Sequence, residues 1–268
     1  MARIKPVLVN LKGFFKKRTT TQRVLNRAHI QEYFSAIFGI GLTKIGPLFI
    51  AYQPDSHYTF QDHPEFHKLF KKFRKHNRSG NGGDIVRLWS FILNCKQVLS
   101  EGIEGDFAEL GVWRGNTASV LAEYASKSNR IVYLFDTFEG FSKLDIQGVD
   151  ANKDIVFNNT SIELVKKNIA ENDSSCKYIK GFFPDTITEE HKSKKYAIVS
   201  LDCDLYAPTK AGLEFFYPRM SNGGIFFLHD YSSLHWKGCK QAIDEFCSEK
   251  GIRIILMPDK SGSAFFRK

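Results

Sequence analysis

The sequence predicts an α/β protein: a seven-stranded, mostly parallel sheet with helices on both faces and an antiparallel last strand, preceded by an N-terminal helical lid. Three observations lead there. From residue 84 onward, short β-branched or aromatic runs alternate with longer periodic stretches, the pattern of a parallel sheet covered by crossover helices. The last two apolar runs, 252–256 and 263–266, are separated only by Pro258-Asp259-Lys260-Ser261-Gly262, which makes a closing hairpin. The 268 residues are 43% apolar and 25% charged, enough to bury a full-sized core and too apolar for a disordered chain.

The elements follow in order. Residues 1–30 carry Lys16-Lys17-Arg18 and a threonine run and read as a loosely helical arm. Residues 30–80 are rich in aromatics and histidine, with a second basic cluster at Lys71, Lys72, Arg74 and Lys75, and read as helical lid. Ser79-Gly80-Asn81-Gly82-Gly83 is the strongest break in the chain, so the expected division is an arm and lid over 1–83 and a catalytic domain over 84–268. Strands are expected at 106–110, 130–135, 177–180, 196–201 and 225–228, with helices at 85–99, 117–125, 162–170, 209–217 and 239–248.

Charge is unevenly placed. Residues 1–83 carry 15 Lys/Arg against 4 Asp/Glu, whereas 84–268 carry 23 against 25. A basic leader on a near-neutral body is compatible with a solvated arm or with a peripheral membrane contact through anionic lipid. The five cysteines lack CxxC or Cys/His spacing, which argues against a zinc site or disulfide framework and for a reducing, cytoplasmic setting. The longest early apolar run, 34–42, is too short to cross a bilayer.

The strand ends carry the chemistry. Residues 106–117, DFAELGVWRGNT, end a strand at Glu109, turn through Gly111 and Gly115 and enter a helix. The glycines let the backbone pass close beneath a ligand at the carboxyl end of the sheet. The spacing Gly-x-x-x-Gly lacks the dinucleotide fingerprint, and an acidic strand end repels a pyrophosphate; it suits the ammonium and sulfonium of S-adenosylmethionine. The next strand ends at Asp136, placed to accept ribose hydroxyls. After the third strand, Phe182 is a candidate to pack on adenine, and either Phe182 or Phe183 could equally belong to the core. The fourth strand delivers Asp202-Cys203-Asp204 and the fifth His229-Asp230. Three carboxylates and an imidazole in one crevice repel themselves unless a cation or shared proton stabilises them. Asp202, Asp204 and His229 are therefore the candidate catalytic residues, and Asp202, His229 and Asp230 the candidate ligands of Mg2+ or Mn2+. Such a centre would orient and deprotonate a hydroxyl for O-methyl transfer.

These residues resemble the macrocin O-methyltransferase family. The matching pieces are 105–115, Asp136 to Gly140, Gly181 to Thr186, Asp202 to Tyr206, Tyr217-Pro218 and Gly223-Gly224 through Asp230-Tyr231, in that order. The resemblance covers roughly residues 84–268 and implies a Rossmann-like class I methyltransferase fold. It further implies S-adenosylmethionine as donor, a hydroxyl of a sugar or glycosylated small molecule as acceptor, and Mg2+ held at Asp202 and Asp230. Where the antibiotic-sugar enzymes have paired acids, this chain has His229-Asp230, which removes one negative charge and leaves metal use open. Two alternatives compete: a nucleic-acid methyltransferase, disfavoured because Asp202 to Tyr206 lacks the Asn/Asp-Pro-Pro-Tyr/Phe pattern, and a non-catalytic scaffold with the same fold. A homo-oligomer is compatible with everything above.

Overall fold

The structure, a computed structural model, describes residues 63–153 and 157–268. The basic arm, most of the expected lid and the membrane contact assigned to the arm lie outside these residues. In chain order the principal elements are α1 (Pro64–Phe73), α2 (Arg78–Asn81), α3 (Ile85–Ser100), β1 (Asp106–Leu110), α4 (Asn116–Lys127), β2 (Val132–Asp136), α5 (Ile162–Ile169), β3 (Cys176–Lys180), α6 (Glu189–Ser193), β4 (Tyr196–Leu201), α7 (Tyr206–Phe216), β5 (Met220–Leu228), α8 (Lys237–Lys250), β6 (Ile255–Leu256) and β7 (Ala264–Arg267).

The sheet runs β3-β2-β1-β4-β5-β7-β6. β1 through β5 pair in parallel, and β7 lies antiparallel between β5 and β6. The expected seven strands with an antiparallel last strand are all present. β4 is buried at every position, as a central strand covered on both faces must be, whereas the edge strand β3 has only exposed and half-buried residues. Because side chains alternate across a strand, neighbours serve opposite cores. Phe107, Leu134, Ile198 and Phe227 meet Leu88, Phe91 and Leu121 on one face. Ala108, Phe135, Val199 and Phe226 meet Phe216 and Ile243 on the other. Chain order reverses between β1 and β4, and at such a switch point the loops part to open a crevice at the carboxyl ends of the strands.

The expected boundary at 83/84 falls inside one compact unit. The compact unit runs Phe60–Lys268, and α1 belongs to it. Phe66, Leu69 and Phe73 make one buried helical face, spaced at three and four residues. The C-terminal end of α1 is held by the buried Asn116 side chain, whose Nδ2 donates to the carbonyls of Phe73 and Lys75 at 2.7 Å each. These are carbonyls a helix end leaves without a partner. Nor is the Gly/Asn-rich break a linker. Asn77 caps the short α2 by accepting from Gly80 N, and Lys260 Nζ from the β6–β7 loop donates to the carbonyls of Ser79 and Gly80. The glycines there serve a tethered turn.

Other differences sit at element ends. α7 starts at Tyr206 rather than 209, because Pro208 falls in the first turn, where its missing N–H costs no helical bond. β5 starts at Met220, five residues before the expected strand, across a register shift against β4. The five-residue α6 was not expected at all. Among the described residues no helix is long and apolar enough to cross a membrane.

Candidate active site

A cavity of about 670 Å³ opens over the carboxyl ends of β1, β2, β4 and β5. Its wall includes Glu109, Gly111, Asp136, Phe182, Asp202, Asp204, His229 and Asp230, so eight of the nine residues singled out from the sequence share one space; Gly115 does not line it. Its size is that of a small-molecule site.

One end is built by β1 and β2. Glu109 is 1% exposed, and its Oε2 has no hydrogen-bond partner among the described residues. Burial, then the nearby Asp202 and Asp136 carboxylates, push its carboxyl well above the usual range against the pull of Arg87 and His229. A buried carboxyl with a spare oxygen fits a ligand that brings positive charge. Asp136 is differently employed. Its Oδ2 accepts from Val112 N at 2.6 Å and Trp113 N at 2.9 Å, and its Oδ1 from Phe138 N at 2.6 Å. A carboxylate offers about four lone-pair sites, so the clamp on the β1–α4 loop leaves room for roughly one further donor. The expectation that it accepts both ribose hydroxyls is narrowed accordingly. Phe182 and Phe183 both line the cavity, and Phe183 also stacks on Phe216 and meets Phe135 edge-on.

The glycines are fixed by neighbours. Gly111 has φ +85°, and a Cβ there would lie 2.1 Å from the Asp202 carbonyl oxygen. Gly115 has φ +74° as the residue before α4, and its Cβ would lie 2.7 Å from Val165 Cγ1. Gly111 thus lets the end of β1 pass against the end of β4, where Asp202 N donates to Leu110 O at 2.9 Å.

The other end gathers the charges. His229 Nδ1 lies 2.6 Å from Asp202 Oδ1 and 2.7 Å from Asp230 Oδ2. Both approaches fall outside hydrogen-bond alignment, leaving Nδ1 a buried atom aimed between two carboxylates. One donor atom from each of Asp202, His229 and Asp230 lies within 4.8 Å of the others, a set that fits a divalent ion in type and spacing. Asp204 and Asp230 both adopt left-handed backbone, φ +62° and +56°, which Asp tolerates better than most residues. Burial, then the Asp230 and Asp202 carboxylates, drive the Asp204 carboxyl far upward. Carboxyls gathered this closely in a buried site do not all ionise, so one of them keeps a proton.

The residue that sequence reasoning missed is Arg87, in the first turn of α3. It is 4% exposed. Nη2 donates to Asp202 Oδ2 at 2.6 Å and to Thr117 Oγ1 at 3.0 Å, and Nη1 donates to His229 Nε2 at 2.7 Å. Although burial favours the neutral Asp202 carboxyl, His229 and Arg87 hold it far below the usual range. Burial and Arg87 oppose a second proton on His229, and the two carboxylates favour it more strongly, for a net rise to about 10. The 2.7 Å contact with Arg87 requires a lone pair on Nε2, so while that contact is made the imidazole is neutral with its hydrogen on Nδ1, and the second proton the carboxylates favour enters only when the contact breaks. An arginine in a helix ahead of the first strand gives no local sequence signal for this role; the amphipathic pattern of 85–99 marks it merely as an interruption of the apolar face.

The family model for macrocin-O-methyltransferase (TylF) matches residues 85–268. The chain is 29% identical over 196 residues to the 8-demethyl-8-(2,3-dimethoxy-alpha-L-rhamnosyl)-tetracenomycin-C 4'-O-methyltransferase of Streptomyces olivaceus, covering 68% of this chain and 73% of that one. It is 29% identical over 188 residues to the mycinamicin III 3''-O-methyltransferase of Micromonospora griseorubida, covering 65% and 72%. In fold it is similar to the O-methyltransferase NovP, with a TM-score of 0.58 at 23% identity over 69% of this chain and 80% of that one. It is also similar to the calicheamicin methyltransferase CalS11, with a TM-score of 0.55 at 19% identity over 81% and 99%. The chain belongs to the macrocin O-methyltransferase family and is an O-methyltransferase.

Proposed function

We propose that the protein transfers a methyl group from S-adenosylmethionine to a hydroxyl of a sugar or glycosylated small molecule. The observation that carries this reading is the single cavity with an unpartnered buried carboxyl, Glu109, at one end and the Asp202–Asp204–His229–Asp230 cluster at the other. Glu109 attracts the cationic donor, Asp136 keeps one acceptor site for its ribose, and Phe182 packs on its adenine. Related enzymes named for methylation of sugar positions on tetracenomycin and mycinamicin favour a sugar acceptor.

At the reacting end, Asp202 and His229 orient the acceptor hydroxyl, and its proton passes to the Asp204–Asp230 pair. That pair retains one negative charge, which accepts the proton. Where a divalent ion is bound, Asp202, His229 and Asp230 would hold it, and it would supply acidification of a ligated hydroxyl.

The test is incubation with methyl-labelled S-adenosylmethionine and a panel of deoxysugar glycosides and their aglycones, with products read by mass spectrometry and NMR. Label on a sugar oxygen is expected. Label on nitrogen, or on added RNA or DNA, would sink the reading, as would failure of the folded protein to bind the donor in calorimetry.

A further inference from the structure

Arg87 stands where a divalent ion would have to work. A neutral imidazole has one lone pair and one N–H, so whichever nitrogen ligates a metal, the other carries the hydrogen. If His229 spent the Nδ1 lone pair on an ion between Asp202 and Asp230, Nε2 would carry the hydrogen and face the Arg87 Nη1–H at 2.7 Å, two donors opposed. Asp202 is likewise divided, since Oδ2 is held by Arg87 Nη2 at 2.6 Å and Oδ1 alone faces the imidazole. Arg87 is also difficult to displace. Its guanidinium lies between the rings of Phe73 and Phe91, 5.7 and 5.9 Å from their centroids, and Thr117 holds it from the side. A fixed positive charge at this distance further repels a second cation.

We propose that Arg87 is a resident cation that competes with a divalent metal ion for the Asp202–His229–Asp230 centre. It sets the imidazole with its lone pair on Nε2, neutralises Asp202, and makes the charge cluster stable without a bound ion. A metal can enter the centre only by breaking the Arg87–His229 contact. The inference deepens the methyltransferase reading and rests on it for the reaction served, while its geometry stands on Arg87 alone.

The experiment is Mn2+ titration of the full chain followed by electron paramagnetic resonance, on wild type and on Arg87→Met, which keeps the apolar stem and removes the charge. Arg87→Gln, which retains an amide donor toward Asp202, is run beside it in case the first variant fails to fold. Either folded variant is expected to bind Mn2+ about ten-fold more tightly than wild type or better. The variant signal should show nitrogen coupling from a ligating imidazole and vanish when Asp202→Asn is added. Equal or weaker binding by the folded variants overturns the proposal, as does tight, nitrogen-coupled Mn2+ binding by wild type itself. S-adenosylmethionine calorimetry on the same samples separates the two readings: loss of donor binding in wild type sinks the proposed reaction and leaves the competition at the metal centre to be judged on Mn2+ alone.

Discussion

The two ends of the cavity are built by different means. At the β1–β2 end, the groups that shape the site are backbone amides: Val112, Trp113 and Phe138 N–H converge on Asp136, and Glu109 waits with an oxygen unpartnered. At the β4–β5 end, side chains neutralise one another: Arg87 with Asp202 and His229, and Asp204 with Asp230. The first end is local in sequence and keeps an unpaired carboxyl for a ligand. The second draws Arg87 to Asp202 across 115 positions and is already balanced. A site can therefore be prepared for its cationic substrate at one end by withholding a partner, and for proton transfer at the other by setting opposite charges against each other in advance.

Removing Asp202 should separate the ends most sharply. Asp202→Ala strips Arg87 and His229 of their carboxylate, and we expect kcat to fall by about 10²–10⁴-fold with stability down by about 3–5 kcal/mol, while calorimetric donor binding persists. Loss of donor binding along with turnover, in a protein still folded by circular dichroism, would show that the ends are not separable. Gly111→Ala should damage both at once. With φ +85° and a Cβ 2.1 Å from a carbonyl oxygen, the cost is about 3 kcal/mol or more by urea denaturation; a change below about 1 kcal/mol would mean that the β1 and β4 ends part readily. Asn116→Ala removes the buried donor from the Lys75 carbonyl and leaves Phe73 O to Asn81 Nδ2 alone; it should cost about 1–3 kcal/mol, with little change in KM for the donor.

A finer test concerns Glu109. Its carboxyl pKa is raised in the folded protein, so below that pKa the group is neutral, and binding a cation lowers the pKa and expels the proton. Donor affinity should then rise with pH up to the raised pKa, and calorimetric heats should vary with the ionisation enthalpy of the buffer by up to about one proton per site. Glu109→Gln should abolish that buffer dependence. A buffer-independent heat in wild type would mean that Glu109 is already ionised. Smallest of all, Phe182→Ala should weaken donor binding by about 1 kcal/mol, and no change would remove Phe182 from the adenine site.

The same contrast governs what could be read in the sequence. Strands β1 and β4 and the strand-end acids were legible because a buried parallel strand is a continuous apolar run and the first polar residue after it falls in the crevice. The clamp role of Asp136 was not, since an acid that binds ribose and an acid that binds three amides are the same letter. Arg87 was hidden because its partners lie on β4, β5 and α4, and nothing within a helical turn of it marks it. The turn before residue 84 was half legible for a similar reason: glycines at 80, 82 and 83 signal a turn, and whether the turn is free or tied by Lys260 depends on a loop about 180 residues away.

That tie has a practical corollary. A shortened chain beginning at Ile85, where the family match starts, would retain all the strands yet lose α1 and the Ser79–Gly80 carbonyls. Asn116 would be left with its amide in an apolar trough formerly covered by Phe66, Leu69 and Phe73, and the rim formed by residues 77–81 would be missing from the substrate chamber. Such a fragment is expected to be sticky and poorly selective for its acceptor, so recombinant material for structural or inhibitor work should begin upstream of Phe60.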